Sequence, residues 1–275
     1  MVQKIALEEH FLSPGLIDYW RPTMSEVAAP VTEQLFAHLT AFGERRLEIM
    51  DKAGIARSVL SIAGPGVQAE RDAALATRLA QESNDFLAAE IQKRPDRYAG
   101  FAHLALQDPQ GAADELERCM RDLKFCGAMI NGHTNGLYLD HASLHPFWER
   151  AEALGAAIYL HFPKARLVLG HMGETLPYLL WRFDSRAKLY GVKLSAPPSH
   201  YIKQNIWVTV SGVFAAEPLY CAVSALGRER VMFAADYPFE HAEEAGHFMD
   251  TVRLDETLRS EVAHENAAKL LGLDS

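Results

Sequence analysis

The chain of 275 residues carries a formal charge of −9, is 49% apolar and contains three cysteines. That balance offers no basic stripe to displace counterions from phosphate, which argues against a nucleic-acid partner. The start, MVQKIALEEH, lacks a signal-peptide core, no run approaches a membrane span, and Cys119, Cys126 and Cys221 sit at no metal-ligand spacing, so a soluble cytoplasmic protein is expected.

Eight short apolar runs, each able to form a buried strand, end in polar residues able to bind a metal or move a proton. The first four are KIALEEH with Glu8 and His10, SVLSIA, YAGFAHLAL, and GAMINGH with Asn131 and His133. The rest are AAIYLH with His161, RLVLGHMGE with His171 and Glu174, IWVTVSG with Ser211, and VMFAADYPFE with Asp236. Helical spacing separates most of them. Strand then helix, repeated, is the sequence form of an α/β fold, the (β/α)8 TIM barrel, whose chemistry sits at the C-terminal ends of its strands. With no repeat, low-complexity tract or linker, one barrel domain over 1–275 is expected.

The first connection, Phe11 to about Ala41, is broken by Pro14, Pro22 and Pro30 and carries Tyr19 and Trp20. Its length suits either an active-site lid or an oligomer contact. Helices are expected from Glu44 to Gly54, Arg71 to Arg94, Pro109 to about Leu123, Ser143 to Leu154, Glu174 to Tyr190 and Glu217 to Leu226, with two more at the C-terminus.

One connection is too short. Only Phe162, Pro163, Lys164 and Ala165 separate His161 from the strand beginning at Arg166. A parallel crossover needs about a dozen residues, usually with a helix. Five Cα steps reach roughly 17 Å, whereas returning along a six-residue strand takes about 20 Å. The helical connection between strands five and six is missing. Either a segment is omitted, strand six is displaced, or the barrel is open there, and the omission is favoured.

Glu8 and His10, two apart on a strand, face one side while Glu9 faces the other. Alone they read as half a divalent-metal site or as a surface charge cluster. His161 and Asp236 tip that balance, because a barrel gathers such strand ends around one mouth, and two histidines with two carboxylates suit Zn²⁺ or Mn²⁺. His171, in G-H-M-G-E, is held over the mouth by a tight turn. Glu174 is either a helix-start residue or an orienting partner for His171. Asn131, His133 and Asn135 also read as an ordinary turn.

The segments A-L-E-E-H-F, P-G-V-Q, P-D-R-Y-A-G-F-A, I-Y-L-H, L-V-L-G-H-M-G-E, W-V-T-V-S-G and D-Y-P-F-E resemble the nonoxidative dihydroxybenzoate decarboxylases of the amidohydrolase superfamily. The resemblance runs from Val2 to about Leu273. It implies one divalent ion on Glu8, His10, His161 and Asp236, with His171 and Glu174 as a second catalytic layer. Phe239 is then expected to pack on the substrate ring, and Arg182 to lie near the substrate carboxylate. The family also carries some forty to fifty further residues between the His161 position and F-P-K-A-R-L, judged by resemblance.

The reaction expected from that resemblance is decarboxylation of an ortho-hydroxybenzoate such as 2,6- or 2,3-dihydroxybenzoate or salicylate, with carboxylation by CO₂ or bicarbonate as its reverse. Asp236 is the candidate proton donor. No organic cofactor is required, and a homodimer or homotetramer is expected. The competing readings are a lactonase-like hydrolase of the same superfamily and a non-catalytic barrel subunit. A binuclear hydrolase is disfavoured by E-x-H in place of H-x-H, and by a fourth strand lacking a bridging lysine.

Overall fold

The computed structural model describes residues 3–139, 141–159 and 166–273. β1 (Lys4–Phe11) leads through α1 (Ile17–Trp20), α2 (Ala29–Leu39) and α3 (Glu44–Ala53) to β2 (Ile55–Ile62). α4 (Ala73–Lys93) precedes β3 (Tyr98–Ala102), α5 (Pro109–Arg121) precedes β4 (Gly127–Met129), and α6 (His145–Leu154) precedes β5 (Ala157–Tyr159). β6 (Arg166–Leu169) is followed by α7 (Leu176–Leu189), α8 (Pro198–Asn205) and β7 (Ile206–Thr209). After α9 (Ala216–Leu226) come β8 (Val231–Met232), α10 (Ala242–Thr251), α11 (Glu256–Ser260) and α12 (Asn266–Leu271). All eight strands are parallel and adjacent in sequence order.

Strand alternation builds two apolar layers. Ile5, Leu7, Val59, Phe101, Met129, Ala157, Val168 and Met232 cluster with Ala267, Ala268, Leu270 and Leu271. These strand residues fill the barrel, and α12 closes the end opposite the polar strand tips. Their neighbours Ala6, Leu60, Ala102, Ala128, Ile158, Leu167, Val208 and Val231 belong to the larger cluster shared with the helices.

Strict alternation along β1 would put Glu8 and His10 on the side of Ala6, away from the interior. A bulge prevents this. Ala6 pairs with Ser58 and Glu9 with Leu60, so β1 gains one residue on β2, and the phase of its side chains inverts. Ile5 and Leu7 therefore line the barrel below while Glu8 and His10 line its mouth above.

The first connection departs from expectation. Pro30 does not break a helix but sits in the first turn of α2, where a missing N–H leaves no bond unmade. Trp20 is 1% exposed and belongs to the core, so it is no part of a lid surface. The helix α8 has no counterpart in the sequence reading.

The crossover also needs correction. β5 and β6 pair in parallel, Ala157 with Arg166 and Ile158 with Leu167, so strand six is not displaced and the sheet is continuous there. The expected conflict assumed a six-residue strand, whereas β5 and β6 have three and four residues. Seven steps from Tyr159 to Arg166 reach roughly 24 Å, enough for that shorter return. The His161–Phe162 junction itself lies outside the described residues. Around it α5 packs on α6, and α7 packs on α8 and α9. Beside β6 lies an apolar cleft of about 710 Å³, lined by Leu167, Leu169, Phe183, Tyr190 and Ile202 among others.

Candidate metal centre

Glu8, His10 and Asp236 each bring one donor atom within 4.8 Å of the other two. His10 Nε2 stands 3.3 Å from Asp236 Oδ1. Neighbouring ligands at 2.0–2.2 Å from one ion lie about 3.0–3.5 Å apart, and opposite ligands at most about 4.4 Å. The His10–Asp236 spacing already fits, and the widest pair needs to close by only a few tenths of an ångström. Two carboxylates and an imidazole are also a donor set that divalent transition metals accept.

The surroundings fix these side chains. Ser211 Oγ donates to Glu8 Oε2, and Thr209 Oγ1 lies 3.4 Å from the same oxygen. Both belong to the β7 tip, so Glu8 reaches across the mouth past β8. A Cβ on Gly170 would stand 2.6 Å from Glu8 Oε2, so that position must be small. Ser61 Oγ lies 3.3 Å from His10 Nδ1, leaving Nε2 for the cluster. Asp236 is held at φ +69°, a region that costs a non-glycine residue of order 1 kcal/mol or more and recurs at functional sites.

His171, Met172 and Glu174 also have positive φ. His171 receives its backbone and ring contacts from Ser211: its N–H donates to Oγ at 3.1 Å, and Nδ1 lies 3.0 Å from the Ser211 carbonyl oxygen. Nε2 then stands 3.8 Å from Glu8 Oε1. Phe239, 41% exposed, sets its ring edge-on to His10 at 5.4 Å and forms an apolar wall at the mouth. Asn131 follows β4, with a buried Nδ2 that has no hydrogen-bond partner among the described residues. Glu174 is exposed beyond the His171 turn, and Arg182 is an exposed residue of α7 in the helical shell. His161 lies outside the described residues.

Sequence reasoning missed a second layer. Glu9, pointing away from the cluster, accepts the Ala235 N–H at 3.1 Å. Burial pushes its carboxyl up to about 8, against the opposing pull of the backbone N–H and of Arg46. Arg46, 1% exposed, donates to the carbonyls of His10, His38 and Ala41 at 2.7, 3.0 and 2.8 Å. Its guanidinium also lies 4.9 Å from the centre of the Tyr237 ring, and Tyr237 OH bonds His38 Nδ1. The one available signal was the parity of β1, which turns Glu9 away from Glu8 and His10 and so toward the buried side, where a carboxyl needs a partner. His103, whose Nε2 accepts the Val67 N–H at 2.9 Å, was also missed. Burial holds it down at about 3.

A family model described as Amidohydrolase matches residues 37–273. Gamma-resorcylate decarboxylase of Rhodococcus jostii (strain RHA1) is 34% identical over an alignment of 331 positions covering 100% of both chains. That alignment is longer than this chain of 275 residues, so the relative has positions without a counterpart here. A crystal structure of 2,6-dihydroxybenzoate decarboxylase complexed with 2,6-dihydroxybenzoate superposes with a TM-score of 0.91 at 32% identity, covering 99% of this chain and 100% of that one. Dihydroxybenzoic acid decarboxylase from Polaromonas sp. JS666, with bound manganese and the inhibitor 2-nitroresorcinol, gives 0.91 and 32%, covering 100% and 98%. Parallel strands in sequence order, donors gathered at their C-terminal tips and full-length similarity agree: this chain is a TIM barrel that belongs to the amidohydrolase family.

Proposed function

We propose that this protein is a metal-dependent carboxy-lyase that decarboxylates ortho-hydroxybenzoates of the 2,6-dihydroxybenzoate kind. The observation that carries the reading is the convergence of Glu8, His10 and Asp236 beneath the exposed ring of Phe239, in a chain similar throughout its length to gamma-resorcylate decarboxylase. Glu8, His10 and Asp236, with His161 as the fourth expected ligand, would hold one divalent ion. Manganese is preferred because it is the metal named in similar structures. Such an ion would supply Lewis-acid stabilisation of the negative charge on the substrate. No organic cofactor has a role.

The chain's own residues do the rest. Phe239 supports the aromatic ring, and Asn131 Nδ2, without a partner among the described residues, is a donor for a substrate oxygen. Asp236 delivers a proton to the ring carbon as its bond to the carboxylate breaks and CO₂ leaves. His171, tied to Ser211 and near Glu8, maintains the charge balance beside that transfer, with Glu174 at the turn behind it. Arg182, on α7, is the expected partner of the substrate carboxylate.

The protein is read as one domain, acting in the cytoplasm, where its free cysteines stay reduced. Among the described residues no helix is long and apolar enough to cross a membrane. Exposed Tyr178, Trp181, Leu189, Tyr190, Val192 and Leu194 support a homodimer or homotetramer. The deciding assay measures CO₂ release by Mn²⁺-loaded protein from 2,6-dihydroxybenzoate, 2,3-dihydroxybenzoate and salicylate, with 4-hydroxybenzoate as control. Release from at least one ortho compound and none from the control is expected. Asp236→Asn should lower kcat by at least about 100-fold with a smaller change in substrate binding. Equal turnover by wild type and variant, or turnover of the control, would refute the assignment.

A further inference from the structure

The barrel is weakest at the seam that brings its metal donors together. β1 and β8 stand at the two ends of the sheet order. Among the described residues a single parallel bridge, between Glu9 and Tyr237, joins them, with the His10 N–H donating to the Tyr237 carbonyl at 2.8 Å. Glu8 and His10 lie on the β1 side of this seam and Asp236 on the β8 side. Any slip between the two tips therefore changes the His10–Asp236 spacing of 3.3 Å directly.

Two buried side chains bind the seam from behind. Glu9 Oε1 takes the Ala235 N–H, one residue before Asp236. Arg46 Nη2 takes the His10 carbonyl, while its guanidinium lies 4.9 Å from the Tyr237 ring centre, one residue after Asp236. Its Nε is fixed on the Ala41 carbonyl and Nη2 also on the His38 carbonyl, so the plane of the fork is set by the last turn of α2 and the segment after it. Arg46 thus touches a metal ligand's backbone on one strand and a ligand's neighbour on the other. A lysine has one compact ammonium and cannot reproduce that planar arrangement.

We propose that Arg46 and Glu9 form a latch across the β8–β1 seam that sets the spacing of His10 and Asp236, making both of them positioning residues for metal binding. The inference rests on the metal reading above. Mn²⁺ affinity, measured by titration calorimetry well below each protein's Tm, tests it, with the Tm of the metal-free proteins recorded alongside. Arg46→Lys and Glu9→Ala should each weaken Mn²⁺ binding by about 10–100-fold, the usual effect of removing a partner that orients a ligand. Glu9→Gln keeps an acceptor for the Ala235 N–H and should recover most of the affinity lost in Glu9→Ala. Tyr237→Phe keeps the ring and should bind within about threefold of wild type, a small effect on the same scale. Should Arg46→Lys fail to fold, the Glu9→Ala and Glu9→Gln pair decides alone. If wild type takes up no Mn²⁺, the metal reading fails and the latch falls with it. If wild type binds while the Arg46 and Glu9 variants bind equally well, whatever their Tm, the latch alone is overturned.

Discussion

The donor cluster makes a prediction whose sign differs between metal-free and metal-loaded protein. Without an ion, Glu8 and Asp236 present carboxylate oxygens no more than 4.8 Å apart. Two such charges repel by roughly 3–4 kcal/mol at an effective dielectric constant of 20, an order-of-magnitude figure that local hydrogen bonds reduce. Glu8→Gln removes that repulsion while leaving an amide oxygen to accept from Ser211. The metal-free variant should therefore melt at or above the wild-type temperature. Manganese should act the other way. At 100 times its Kd, an ion that binds only the folded state adds about 2.7 kcal/mol, and a chain of this length gains about 2–4 °C per kcal/mol. Wild type should thus gain roughly 5–11 °C, and Glu8→Gln little at the same concentration. Differential scanning calorimetry with and without Mn²⁺ reads both effects. An equal Mn²⁺ shift in the two proteins, or a metal-free Glu8→Gln that melts well below wild type, would refute the reasoning.

Three further outcomes are expected. Phe239→Ala should raise KM for the hydroxybenzoate about tenfold, as expected for a lost aromatic contact of about 1.4 kcal/mol, with Mn²⁺ affinity by calorimetry unchanged. His103 is held neutral by burial at about 3, so its stabilising contribution is complete above pH 6.5 and is lost at roughly 1.4 kcal/mol per pH unit as pH falls from 6.5 toward 3. Urea melts across that window should show a shallower decline for His103→Gln than for wild type, and identical slopes would exclude the role. The apolar cleft beside β6 should bind 8-anilinonaphthalene-1-sulfonate at neutral pH, with the fluorescence reduced in Ile202→Asp.

Most of the barrel was legible because its strands are apolar runs and its helices carry explicit stops. Gly54 and Gly155 end α3 and α6 in the left-handed conformation, and Asp72 and Asp108 cap α4 and α5 through their side chains. The errors have two causes, the weight given to proline and the assumption of a standard strand length. Pro30, read as breaking any regular helix, opens α2, and α8, which Pro198 opens, had no counterpart in the sequence reading. The fifth crossover looked impossible because a six-residue strand was assumed, whereas tertiary pairing there uses three and four residues.

Glu8, His10 and Asp236 could be nominated for a different reason: a carboxylate or imidazole at the end of an apolar run has no other evident partner in the local sequence, and the fold does bring these three together. What could not be read was how they come to face each other. The bulge at Ala6–Glu9 that turns Glu8 inward depends on the register of β1 against β2, a long-range property without a local signature. Likewise, nothing near Arg46 announces that its guanidinium will lie beneath Tyr237, almost two hundred positions away. Such groups become visible only once the seam is assembled, because burial makes an unmatched Glu9 or Arg46 costly and the fold must supply each with partners. Local chemistry nominates the ligands, and the closing of the barrel determines whether they can share an ion.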